Sequence, residues 1–228
     1  MFIVIIIALV ALYVWYKLSH YNDTPWVKER IKGRTQEQAA VIRYFCNEPS
    51  CLSKKPITDE QYDQLVLEQI RKFDFKKKAL DKIGLDEDQV KEIEPVHFEG
   101  FQFGKPARFS RLGHDGKWRS SNYQVSWLFF SATQVYLYQY TFNMDEDGRK
   151  EATEEYFYKD ITNFATSSDT EETPVYNKQT DKVILENVNT NRFVLRVPGA
   201  SFYCAMDQND DTEASIQGLK SLLREKKA

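Results

Sequence analysis

The chain opens on a run with no rhythm at all: Met1 to Tyr16 carries no charged side chain, whereas after it apolar and polar residues alternate in short periods to the end. A helix of that length rises about 24 Å at about 1.5 Å per residue, against an apolar bilayer core of about 30 Å. Leu18 and a snorkelling Lys17 make up the difference, so residues 1–18 are expected to form a transmembrane anchor inserted through Phe2 to Tyr16. No Lys or Arg precedes the run and no small-x-small cleavage site follows it, which favours a retained anchor over a cleaved signal. Lys17, Lys28, Arg30, Lys32 and Arg34 follow closely, and basic flanks stay in the cytoplasm. The expectation is a single-pass protein of the cell membrane, with its N-terminus outside and its body cytoplasmic.

From residue 24 to residue 95 the period is helical. Thr24 before Pro25 is a helix start, and Thr35 with Gln38 and Thr58 with Gln61 both have capping-box spacing. Tyr62, Leu65, Val66, Ile70 and Phe73 recur on one side of the third helix, and Gly84 ends its continuation. A last short helix is expected between Asp86 and Pro95. The simple reading is a packed helical linker between bilayer and domain.

After Gly100 the glycines mark loops, and the rhythm shortens to two. Tyr123 to Phe130 and Gln134 to Met144 form a hairpin, Asp145–Gly148 turns the chain, and Thr153 to Tyr158 and Asp160 to Thr166 follow. The acidic run Ser167 to Thr173 reads as a solvent loop. Lys182 to Val188 and Arg192 to Val197 read as two strands joined at Asn189–Asn191, with Ser201 to Met206 last. Thr212, Ile216, Leu219 and Leu223 make one side of a terminal helix capped by Asp210 and Glu213.

Strands followed by one amphipathic helix give an α+β chain of three parts: 1–18, 24–95 and 100–228. The segment Pro56-Ile57-Thr58-Asp59-Glu60-Gln61-Tyr62 resembles the opening of SHOCT helical modules. Tyr156 to Phe164, Phe193 to Gly199 and the ending Leu222 to Lys227 resemble bacterial pleckstrin-homology-like (PH-like) domains attached to membrane proteins. That resemblance implies a PH-like antiparallel β-barrel or sandwich closed by the C-terminal helix, and a binding or scaffolding module without chemistry of its own. A small open sheet packed on several helices is the alternative fold. The basic motif that holds inositol lipids in eukaryotic relatives is missing, since Ser131, Ala132 and Thr133 occupy that loop.

Composition adds exclusions. A net charge of −3 gives no case for nucleic acid. Cys46, Cys51 and Cys204 are an odd number without metal-ligand spacing, and His20, His97 and His114 are scattered, so no metal, cofactor or enzyme activity is expected. Two binding surfaces stand out instead. Tyr136, Tyr138 and Tyr140 share one side of their strand, and with Tyr156 and Tyr158 they would make a tyrosine-rich face for a protein partner. Arg71, Lys72, Lys76, Lys77 and Lys78 crowd together beside Phe73 and Phe75, as in segments that lie on anionic lipid.

Overall fold

The structure is a computed structural model that describes residues 2–51, 53–90, 94–206 and 210–227, and their side chains except at 2–4, 210–215 and 227. The elements run α1 (Phe2–Ser19), α2 (Pro25–Ile31), α3 (Gln36–Cys46), α4 (Asp59–Arg71), α5 (Phe75–Ile83), β1 (Val96–Phe101), β2 (Ser110–Leu112), β3 (Trp118–Ser120), β4 (Asn122–Phe130), β5 (Gln134–Asn143), β6 (Arg149–Phe157), β7 (Asn163–Asn177), β8 (Lys182–Val197), β9 (Ala200–Ala205) and α6 (Asp210–Lys227). The caps act as their spacing requires: Thr35 and Gln38, and Thr58 and Gln61, exchange both bonds of a capping box. Gly84, with φ +81°, closes α5 in the left-handed conformation.

Four strands form a first sheet in the order β1-β4-β5-β6, and five form a second in the order β3-β2-β7-β8-β9. Three layers result. Helices α4 and α5 cover one face of the first sheet, where Tyr62, Phe75 and Leu80 share a core with Tyr123, Phe129, Tyr138 and Tyr140, while α2 and α3 extend that core to the end of β7, Trp26 stacking on Tyr176. The opposite face packs on the second sheet and α6: Phe98, Leu128, Phe130 and Leu137 meet Phe193, Leu195 and Phe202, and Ile216, Leu219 and Leu223 close the end. Because the end of β4, Trp127 to Phe130, is apolar on both faces, it serves both cores, Phe129 towards the helices and Phe130 towards the sandwich.

Several expectations are corrected. Among the described residues no helix is long and apolar enough to cross a membrane. The uncharged part of α1, Phe2 to Tyr16, rises about 22 Å, short of about 30 Å. Lys17, the first charged residue, bounds it, with its Nζ 5.8 Å over the Tyr13 ring. The transmembrane anchor, the single-pass topology and the cytoplasmic placement of the body therefore fall together.

The PH-like barrel is likewise not closed. Among the described residues no ladder forms between β9 and the first sheet; the Ala205 N–H is taken instead by the Gln124 side chain at 2.8 Å. At the other junction a 3-10 turn, Tyr158–Asp160, separates β6 from β7. Glycine-marked "loops" before residue 120 contain β1, β2 and β3. Ser167–Thr173 is strand, and Asn189–Asn191 is strand interior, for one shared reason. Ser168 donates to the Asn191 carboxamide and Thr170 to that of Asn189 (3.0 Å), so polar cross-strand pairs hold a ribbon that hydrophobic alternation does not reveal. The short helix before Pro95 is a 3-10 turn, Glu87–Val90, and the cap at Asp210 and Glu213 lies outside the described side chains.

Candidate functional site

The five tyrosines do not form one face. Tyr138 and Tyr140 lie buried beneath α4 and α5, with Phe73 and Phe75 against Tyr140, and Tyr136 is half-buried on the same side. Register places Tyr156 opposite Val135, hence on the other side of the sheet, and Tyr158 is buried there with its hydroxyl donating to the Ser131 carbonyl at 2.9 Å. Alternation gave the parity correctly, but the cover is the chain's own helical region. Tyrosine suits that layer because its hydroxyl finds partners: Tyr138 donates to Glu151 (2.7 Å) and Tyr62 to the Ser120 carbonyl (2.7 Å).

The basic cluster is also divided. Lys76 pairs with Glu87 and Lys78 with Glu151, and Lys78 stands 5.2 Å over the Tyr140 ring. Arg71, Lys72 and Lys77 remain exposed. The histidines stay apart: His20 stacks on Tyr16, His97 stacks on Trp127, and the His114 backbone donates to Asp59. Among the described residues no cluster of three or more His, Cys, Asp or Glu could hold a metal ion. Cys46 and Cys204 are buried, and burial pushes the Cys204 thiol up to about 12, far from a reactive thiolate.

What the fold does build is a cleft of about 1430 Å³ where the two sheets diverge. One wall is the end of β1 and the segment after it, from Phe101 to Ala107, and the other comes from β7, β8 and β9 through Glu171, Leu185, Asn189 and Tyr203. Trp118 and Arg119 of β3 close one side. Gly104, with φ +72°, turns the first wall, and it is this left-handed backbone that calls for glycine, since a Cβ there would make only ordinary contact with the Glu171 carboxylate. Ser110 and Thr173 fix the wall from below through a 2.6 Å hydroxyl bond, and the Gly104 N–H donates to Thr173 at 3.3 Å.

Both arginines of the cleft are already held. Arg119 binds Asp63 through two bonds of 2.7 Å and Asp115 through bonds of 2.9 and 2.8 Å, and those bonds hold the Asp115 carboxyl far below the usual carboxylate range. Arg192 pairs with Glu171 and lies 5.9 Å over the Tyr203 ring. Lys105 and Lys117 stand exposed at the rim and form no ion pair among the described residues. Gln139 donates to the Tyr203 carbonyl, at 2.5 Å, and pins β9 to the first sheet behind the cleft.

None of the residues Phe101, Trp118, Leu185 and Tyr203 was singled out by sequence. They come from four strands spread over a hundred positions, and only three successive apolar residues, Val183-Ile184-Leu185, in a polar ribbon hinted at them. Comparison with known proteins finds no matching family model, no similar curated protein and no similar solved structure.

Proposed function

We propose that the chain is a non-catalytic binding module that takes a polypeptide ligand in the cleft between the Phe101–Ala107 wall and β8. The observation that carries this reading is the cleft's make-up: exposed Leu185 and Tyr203 and half-buried Trp118 beside arginines whose charges are already matched by carboxylates. Such a surface offers area and few demands for a compensating charge, as protein-binding patches do. Scaffolding through the tyrosine row has less support, because the helices cover it. Lipid docking through Arg71, Lys72 and Lys77 has less support too, because Lys76 and Lys78 are committed to glutamates.

The test places a photo-crosslinking amino acid at Tyr203, or at exposed Phe157 on the far edge strand as a control, in the full chain in its source cells. The reading requires a discrete crosslinked polypeptide at Tyr203, absent at Phe157 and lost on Trp118→Ala. Equal capture at both positions, or no polypeptide at Tyr203, overturns it.

A further inference from the structure

We propose that the ligand enters as an extended strand and pairs with the free edge of β8, continuing the second sheet where β9 stops; this rests on the cleft being the binding site. β8 is 16 residues long, yet β9 pairs only with Arg192–Val197. From Lys182 to Asn187 the strand has β7 on one side and, among the described residues, nothing hydrogen-bonded on the other.

The direction of the open groups follows from two independent facts. The Met206 N–H donates to the Asn191 carbonyl at 3.3 Å, so odd-numbered residues of β8 turn their backbone groups away from β7. Pro174 of β7, which has no N–H to give, stands opposite Leu185, where the ladder between the strands requires no bond. Val183, Leu185 and Asn187 therefore direct N–H and C=O outwards. Five residues, 183 to 187, offer about 16 Å of template at about 3.3 Å each.

Edges of this kind are ordinarily defended by charge, by proline or by a covering element. β6, the edge of the first sheet, is defended in that way by Arg149, Lys150, Glu154 and Glu155. The β8 edge carries charge only at Lys182 and Glu186, and between them Val183, Ile184 and Leu185 are 40, 37 and 62% exposed. It also opens into a cavity, since Leu185 and Asn189 line the cleft and the 101–107 wall stands across it. That wall decides the occupant. A single extended chain brings only its own backbone to this edge, whereas a second copy would bring its whole β7–β8 ribbon up to the 101–107 wall. Among the exposed charges of the cleft that form no ion pair among the described residues, Lys105 and Lys117 outnumber Glu172, which favours acidic residues flanking an apolar one that meets Leu185 and Tyr203.

The probe is a phage-displayed library of random peptides, each about twelve residues long so as to exceed the template with flanks on both sides. It is panned on the full chain, and an enriched peptide is then synthesised. Enriched sequences should alternate apolar and polar residues and carry Asp or Glu at the ends. Leu185→Pro removes one outward N–H and no bond to β7, so a thermal melt should show it folded while peptide affinity falls about tenfold or more. N-methylation of the peptide on alternate amides should abolish binding in one parity and spare it in the other; this arm decides the matter even where Leu185→Pro fails to fold. Binding that ignores Leu185→Pro and both methylation patterns would leave the cleft as a binding site but overturn strand pairing. Failure to enrich any peptide over a Leu185→Pro control overturns it as well. So does a dimer, seen by sedimentation, that Leu185→Pro dissolves, because the edge would then belong to a second copy.

Discussion

Tyr62→Ala separates a helical spacer from a helical layer that the sheet needs. The Tyr62 ring is fully buried, stacks on Tyr44 with centroids 4.6 Å apart, and meets Phe45 edge-on and Phe101 of β1. Its hydroxyl donates to the Ser120 carbonyl, and burial raises its pKa well above 10, so it stays neutral at all ordinary pH. Removing a buried aromatic costs about 3–5 kcal/mol, and a stranded carbonyl adds about 1. At about 2–4 °C per kcal/mol for a chain of this size, the Tm should fall by about 8 to 24 °C, and by about 2–4 °C for Tyr62→Phe. Two thiols report the two cores: Cys46 lies buried in α3 and Cys204 in the sandwich. Labelling during a thermal ramp, read by mass spectrometry, should expose both at one temperature, shifted together in the variant. Exposure of Cys46 well below Cys204, with the Cys204 temperature unchanged by Tyr62→Ala, would refute the claim that helices and sheets form one cooperative unit.

Two further predictions concern charge. Asp145 is fully buried and burial raises its pKa, so its protonated form favours the native state; that contribution is complete below about pH 3.8 and is lost as pH rises through the higher folded value. Asp145→Asn should therefore raise the Tm at pH 7 and do less at pH 4, and a larger loss at pH 7 than at pH 4 would show that the Arg108 pair, at 3.3 Å, outweighs desolvation. Lys78→Glu sets a like charge against Glu151 and removes a cation from the Tyr140 ring, so urea denaturation should show a loss of about 1 kcal/mol, whereas exposed Lys77→Glu should stay within about 0.5 of wild type. Equal effects would mean that the Lys78 contacts are incidental.

The helical half was legible because its signals are local: Thr35 with Gln38, Thr58 with Gln61 and Gly84 each act within one turn of chain. The β4–β5 hairpin was legible for the same reason, as strict alternation meets a short connection. The long ribbon was not, because Ser168, Thr170, Asn189 and Asn191 earn their place through bonds to one another across about twenty positions, and as single residues they read as loop. Alternation showed that Tyr136, Tyr138 and Tyr140 share a side; that helices cover this side is decided by contacts such as Phe75 to Tyr140, which no period encodes. The cleft was illegible altogether. It exists because β9 ends while β8 continues, a property of two strand lengths and not of any motif.

Backbone hydrogen exchange along β8 in the full, unliganded chain tests the open edge most directly. The amides of Ile184 and Glu186 face Val175 and Thr173 of β7 and should exchange slowly, whereas those of Val183, Leu185 and Asn187 should exchange fast and become protected on adding a library-selected peptide. Slow exchange at all five positions in the free chain would mean that the edge is already covered, and fast exchange at all five that the ribbon is frayed; either result would contradict the account.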